Sequence, residues 1–408
     1  MHRLNAVTVY LIITATSAFA FAAAFTNSAV YRFESAHLDP LQLVLLGTVL
    51  EASIFLFEIP TGLVADLRSR RLSVVIGYGL IGAGMLLEGA FPVFATILLA
   101  QIVWGIGYTF ISGAEDAWLA DEIGEDRLTA VYLRGSQVAS IATLCGIAAN
   151  IPLANRQLAL PYLAGGLAHL GLALFLPFFM PERHFHPAPQ EERESWGKLS
   201  TTFRAGLSAI SARPLLVTIL GISLIYGLYS EVLDRLWQPH FLANITPPTI
   251  ADLSPVTFFG LLKAALLLAT IFTADIARRR LSGVDGQRMA IVLAVLSAAI
   301  SVGLILFGIA KHMPLALLSF SAIAVARATL HPLYSAWVNR GIPSAVRATV
   351  LSTFGQMDAI GQVIGGPLLG VIANNAGMPS AFIAAGLLLS PVLLLYRRAF
   401  RQSAMPAE

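Results

Sequence analysis

Charge is what this sequence has least of. Of its 408 residues, 12% are Asp, Glu, Lys or Arg and 57% are hydrophobic. Soluble domains carry about 25% charged residues, so a shortage of this size excludes a water-facing surface over most of the chain. Cysteine is scarcer still. Cys145 stands alone, which rules out an intramolecular disulfide, and its apolar surroundings read as those of a structural thiol. Metal-ligand spacing is missing too: His184 and His186 have no cysteines or paired acids beside them, so they read as part of a solvated linker. No metal, cofactor or catalytic residue is expected. The start, Met1-His2-Arg3, runs into an apolar stretch with no small-residue cleavage site, which reads as a retained first span.

What the sequence has in quantity is apolar runs of about 20 residues, the length that crosses a bilayer core about 30 Å thick. Twelve are expected, near 7–31, 41–64, 73–92, 94–118, 134–154, 158–180, 214–238, 254–276, 289–310, 313–336, 350–372 and 378–396. Most of the 26 lysines and arginines fall in alternate loops, leaving Arg32, Arg156 and Lys311 on the other side. That asymmetry places both termini in the cytoplasm. The fold class is therefore an all-α polytopic membrane protein in a lipid bilayer. The one long polar stretch follows the sixth span, so the expected organisation is 1–180, a linker 181–213, and 214–408. Within the linker Trp196, Leu199, Phe203, Leu207 and Ile210 recur at helical spacing among Lys198, Arg204 and Arg213, the pattern of a helix lying on the membrane surface.

The chain repeats itself. Ala65-Asp66-Leu67-Arg68-Ser69-Arg70-Arg71 matches Ala274-Asp275-Ile276-Ala277-Arg278-Arg279-Arg280, with 209 positions between Asp66 and Asp275. A second register pairs Trp118 with Trp337, Gln137 with Gln356 and Gly146 with Gly365, each 219 positions apart. Two pseudo-symmetric six-helix bundles are thus visible.

An ionisable group inside a span costs about 2.5–3.5 kcal/mol on insertion scales unless it is paired or wet, so those retained are candidates for function. Glu51 lies mid-span 2 and Glu58 seven residues further along the same face. A carboxylate in a mostly apolar cavity can exchange protons as access alternates, which makes Glu51, Glu58 and Asp358 proton-coupling candidates. Arg327 and Asp358 share a depth and are expected to pair. Arg32 and Glu34 at the end of span 1, with Glu231, Asp234 and Arg235 in span 7, suggest an outer gate; the alternative is a local Glu231–Arg235 pair at i,i+4. Trp104 and Tyr108, which share a face of span 4 with Glu115, together with Tyr226, Tyr229, Lys263 and Arg327, are substrate-cavity candidates. The acids Glu115, Asp116, Asp121, Glu122, Glu125 and Asp126 invite a membrane-enzyme reading. Its second acidic motif is missing, and pairing with neighbouring basic loops is expected instead.

Gly62-Leu63-Val64-Ala65-Asp66-Leu67-Arg68-Ser69-Arg70-Arg71 resembles the loop between spans 2 and 3 of the major facilitator superfamily. The preceding Glu58-Ile59-Pro60-Thr61, with Ser112-Gly113-Ala114-Glu115-Asp116-Ala117-Trp118 and Ser230-Glu231-Val232-Leu233-Asp234-Arg235-Leu236-Trp237, resembles the drug:proton antiporter branch that holds tetracycline- and macrolide-exporter-like proteins. The resemblance implies efflux by alternating access, not enzymatic activity. It also implies a cytoplasmic latch made of Gly62, Asp66, Arg70 and Arg71 and repeated in Asp275, Arg278, Arg279 and Arg280. In that latch Asp66 meets the N-terminus of span 11 near 348–352, with Arg127 or Arg134 close by. Two departures stand out: Gln101 falls where span 4 would carry an arginine, and the glycine-proline antiporter pattern is missing from span 5. The leading expectation is proton-coupled multidrug efflux of small amphipathic compounds across a bacterial inner membrane. A metabolite or siderophore facilitator without proton antiport is the alternative, and a polytopic membrane enzyme a remote one. A small-molecule substrate and protons are the expected partners; no nucleic acid and no second chain are called for.

Overall fold

The computed structural model describes residues 3–187, 204, 208, 210–211, 213–245, 253–281, 283–340, 342 and 347–402. The expected surface helix built on Trp196, Leu199, Phe203 and Leu207 lies outside them. Among the described residues there are twelve long helices and no strand. They are α1 (Ala6–Ser35), α2 (Pro40–Leu67), α3 (Arg70–Ala90), α4 (Phe94–Ile123), α5 (Glu125–Arg156) and α6 (Leu160–Phe179), then α7 (Pro214–Asn244), α8 (Pro255–Leu281) and α9 (Gly286–Ile309). The last three are α10 (Met313–Arg340), α11 (Arg347–Ala376) and α12 (Met378–Gln402). Eleven are long and apolar enough to cross a membrane. The twelfth, α11, has the length at 30 residues but carries Gln356, Asp358 and Gln362 along it. Large apolar side chains such as Leu133, Ile141, Leu174, Phe272 and Leu318 are exposed, the reverse of a soluble protein and the surface that lipid requires.

The chain divides into two compact units. The first holds Met1–Leu38, Val49–Lys198 and Ser254–Lys263; the second holds Asp39–Thr48, Leu199–Leu253 and Ala264–Glu408. In the first unit α3 packs on α6 and α4, and α1 on α5 and α6. In the second the same scheme recurs six helices later: α9 packs on α12 and α10, and α7 on α11 and α12.

The repeated residues do matching work. A Cβ added to Gly146 on α5 would meet the Phe19 carbonyl of α1, and one added to Gly365 on α11 would meet the Leu228 carbonyl of α7. Bare Cα atoms are what let each helix pair approach backbone to backbone. Trp118 is buried and donates its indole N–H to the Pro181 carbonyl at 2.6 Å, while its counterpart Trp337 donates to the Gly286 carbonyl at 3.1 Å.

Three helices depart from their expected form. α1 does not end near residue 31: after an interruption at Asn27 it runs on through a π turn, Tyr31–Ser35, so Arg32 and Glu34 sit on the helix. α2 runs through Pro60 to Leu67, which leaves Arg68 and Ser69 as the turn proper and puts Glu58, Gly62 and Asp66 on the helix. α4 is broken after Ile111 by Gly113, whose φ of 75° is the left-handed region that glycine enters without strain. It resumes as a short second segment, Ala114–Ile123.

Candidate functional site

The turn between α2 and α3 is fastened inside the first unit. Ser69 caps α3, accepting from the Leu72 amide at 2.9 Å, and donates its hydroxyl to Glu182 Oε2 at 2.7 Å. Glu182 Oε1 accepts the Arg71 amide at 2.9 Å, and the Arg71 guanidinium reaches the Met180 carbonyl at 3.3 Å. Arg70 pairs with Asp121 of the second α4 segment at 2.6 Å. Glu122, one residue on, accepts two amides at its Oε1, those of Arg183 and, at 3.1 Å, His184. Asp121 thus pairs with a basic residue, as expected of the acidic cluster, whereas Glu122 holds backbone amides. The second copy of the motif is organised differently. Asp275 holds Arg278 at 2.6 Å and Arg279 at 2.7 Å, its own neighbours one helical turn on; both arginines are exposed and Asp275 partly so.

Of the residues expected to gate the outer side, Arg32, Glu231, Asp234 and Arg235 find partners within their own units. Arg32 is 3% exposed and forks onto Glu88 of α3, with Nε–Oε1 2.7 Å and Nη2–Oε2 3.2 Å. Gln101 of α4 donates to the same carboxylate at 2.8 Å, and the Tyr31 hydroxyl donates to the Glu88 carbonyl at 2.6 Å. Gln101 is therefore anchored on an acid whose positive partner comes from α1. Glu231 pairs locally with Arg235 at 3.2 Å, the i,i+4 alternative to a gate. Its carboxylate also lies against the bare Cα of Gly47 at the start of α2.

Asp234 meets Arg327 of α10, Nη2–Oδ2 2.8 Å, with a second bond between Nη1 and Oδ1. This corrects the expected Arg327–Asp358 pair: equal depth fixes height in the membrane but not the direction a helix faces. Asp358 accepts from Gln362 at 2.8 Å and stays within electrostatic reach of Arg327. The Asp234–Arg327 pair lines a cavity of about 360 Å³ with Leu233, Trp237, Phe320, Ile323 and His331. Trp237 stacks on Phe320, their centroids 4.4 Å apart. Side-chain exposure of 46% for Asp234 against 22% for Arg327 shows which group opens onto the space.

The other cavity candidates separate. Tyr226 is buried and hydrogen-bonded to Ser297 at 2.8 Å and Tyr396 at 2.7 Å, so it belongs to the packing of α7, α9 and α12. Tyr229 is buried too, beside Arg327 and Asp234. Lys263 donates to the Phe25 carbonyl at 2.8 Å, a group that the Ser28 hydroxyl also reaches at 3.3 Å where α1 is interrupted. Beside it Asn27 donates to Asn150 of α5 and to the Val256 carbonyl of α8. Trp104 packs among Phe21, Phe25 and Tyr108. Glu115 does not continue the Trp104–Tyr108 face, because the Gly113 break intervenes. It faces α3, where the Tyr78 hydroxyl donates to it at 2.9 Å. Glu51 is half-buried and Glu58 exposed on α2.

Glu88, Asn27 and Asn150 escape a reading based on apolar runs, since one polar residue hardly lowers a run's average. Their signal is their isolation: a single acid or amide held inside a span needs a partner.

This architecture has known relatives. The family profile described as Major Facilitator Superfamily matches residues 10–357. An uncharacterized MFS-type transporter of Bacillus subtilis (strain 168), YxaM, is 24% identical over 370 residues, covering 88% of this chain and 87% of that protein. Among solved structures, the nucleoside transporter NupG superposes with a TM-score of 0.76 at 15% identity, covering 98% of this chain and all of that one. A POT family transporter in complex with 5-aminolevulinic acid gives 0.77 at 14% identity, with 98% and 96% covered. At such identities the two structures speak to the fold alone.

Proposed function

The chain belongs to the major facilitator superfamily and is a membrane transporter of that class, and from that premise we propose that it exports small amphipathic compounds by alternating access, driven by proton influx. The observation that carries the reading is the α7–α10 cavity. Its walls of Trp237, Phe320, Leu233 and Ile323 suit a flat apolar body, and the Asp234–Arg327 pair suits a polar end. An ion pair lining a cavity can exchange one partner for a charged substrate group, so binding and release are coupled to a change in the pair. Proton coupling draws support from the carboxylates kept within spans, Glu51, Glu58 and Asp358.

The proposed location is a bacterial inner membrane with both termini cytoplasmic, because the basic residues concentrate in alternate loops. On that topology the α2–α3 turn with Gly62, Asp66, Arg70 and Arg71 is the cytoplasmic latch. The Asp275–Arg280 stretch is its weaker counterpart, since Asp275 spends its charge on arginines of its own helix.

Gln101 favours a second reading. An amide in place of a guanidinium removes one charge that could take part in proton exchange, which suits a facilitator working without protons. Inside-out vesicles separate the two. Antiport predicts that an amphipathic dye accumulates only when the lumen is acidified, whereas a facilitator equilibrates it with or without the gradient.

A further inference from the structure

The α4 break creates a second acidic site that the cavity of the second unit does not involve. After Gly113 turns the chain, Glu115 lies half-buried among three helices, and its bond from Tyr78 of α3 is 2.9 Å. Asp116 beside it accepts the Tyr132 hydroxyl of α5 at 3.1 Å. Tyr10 of α1 packs edge-on against Tyr132, 5.9 Å between centroids, and lies within electrostatic reach of both acids. Among the described residues, the charged and titratable groups facing Glu115 are thus Tyr78, Tyr10, Tyr132 and Asp116, all neutral or acidic. Four other acids on the helices have a cation on them or near them: Glu88 has Arg32, Glu231 has Arg235, and Asp234 and Asp358 have Arg327. Glu115 has phenols.

A carboxylate in that setting has two ways to shed its charge, a mobile cation or a proton. The Tyr78 hydroxyl on the carboxylate favours the proton. A phenol can donate to the carboxylate and, after rotation, accept from the carboxylic acid, so both states keep a hydrogen bond. The exposed Asp116 next to it opens the site to water on one side.

We propose that Glu115 is the group that binds the proton exchanged during transport, with Tyr78 as its positioning residue. This rests on the proton-coupled reading under Proposed function and names a site for it other than Glu51, Glu58 or Asp358. In the cycle the Glu115 carboxylate takes one proton that has entered from the outer side, and the Tyr78 hydroxyl turns from donor to acceptor. The acid then returns the proton to water on the cytoplasmic side, and no other bond changes.

The test uses the full-length chain in two measurements. Infrared difference spectra of the purified protein between acid and alkaline pH should contain a carboxylic-acid C=O band that vanishes in Glu115→Gln and shifts its midpoint in Tyr78→Phe. A band unchanged in Glu115→Gln overturns the proposal. In proteoliposomes with ethidium as probe, Glu115→Gln should lose at least tenfold of the accumulation driven by a pH gradient. It should keep ethidium–ethidium counterflow, which needs no proton, and Glu115→Asp should recover part of the driven uptake. Driven uptake at the wild-type level in Glu115→Gln, or loss of counterflow as well, also overturns it. A wild type that ignores the gradient would instead contradict proton coupling and the proposal with it, whereas a coupled wild type whose band is unchanged in Glu115→Gln overturns the assignment to Glu115 alone.

Discussion

Asp234 and Arg327, 93 residues apart in sequence, face each other as a two-point ion pair on the wall of a cavity, with Nη2 and Oδ2 2.8 Å apart. Arg32 and Glu88 make the same kind of pair with both side chains 3% exposed. The difference in exposure sets the difference in cost.

Removing one partner of a dry ion pair strands the other charge, which costs about 3–5 kcal/mol. Glu88→Gln should therefore lower thermal stability in detergent more than Asp234→Asn or any substitution in the α2–α3 turn. Asp234→Asn should cost about 1–3 kcal/mol, because water in the cavity solvates the freed guanidinium. Asp234→Asn should nevertheless lose transport, and the swap Asp234→Arg with Arg327→Asp should restore part of it. Equal melting losses for Glu88→Gln and Asp234→Asn would show that exposure does not set the cost.

The α2–α3 turn predicts a graded series. Ser69→Ala removes a helix cap worth about 1 kcal/mol together with the bond to Glu182. Asp121→Asn breaks a pair whose side chains are 20% and 28% exposed and should cost less than about 1 kcal/mol. Asp66→Asn should abolish transport with membrane insertion intact, whereas Asp275→Asn, whose carboxylate holds arginines of its own helix, should leave at least half. Transport assays beside expression levels check all four; full activity in Asp66→Asn would rule out the latch.

Glycine positions offer a packing test. A Cβ at Gly365 would run into the Leu228 backbone and one at Gly227 into the Asp358 carbonyl, while one at Gly355 meets nothing within 4 Å. Gly365→Ala and Gly227→Ala should reduce the yield of monodisperse protein severalfold, and Gly355→Ala should not. Gly47→Ala should cost less than the first two, because its methyl would meet the ends of the Glu231 and Arg235 side chains, which can turn away, and not backbone.

Much of this architecture is legible in the residues. Apolar runs set the number and order of helices, since only a long apolar helix can satisfy its backbone in lipid. The repeat registers locate equivalent positions, and Gly146 and Gly365 prove to make equivalent crossings. Partner choice is not legible. Depth alone matches Arg327 to Asp358, but hydrophobicity does not encode which way a mid-span residue points. Gly113 looks like one more small residue, although its backbone turns Glu115 off the Trp104 face and towards Tyr78. Lys263 reads as a cavity charge because nothing in the apolar run announces that α1 is interrupted beside the Phe25 carbonyl.

Proton-driven export stands or falls on dye uptake into inside-out vesicles containing the full chain, with the lumen acidified and then with the gradient collapsed by an ionophore. Antiport predicts accumulation several times the equilibrium level in the first condition, abolished in the second and in Asp66→Asn. Uptake that only equilibrates, at the same rate with and without the gradient, would contradict it.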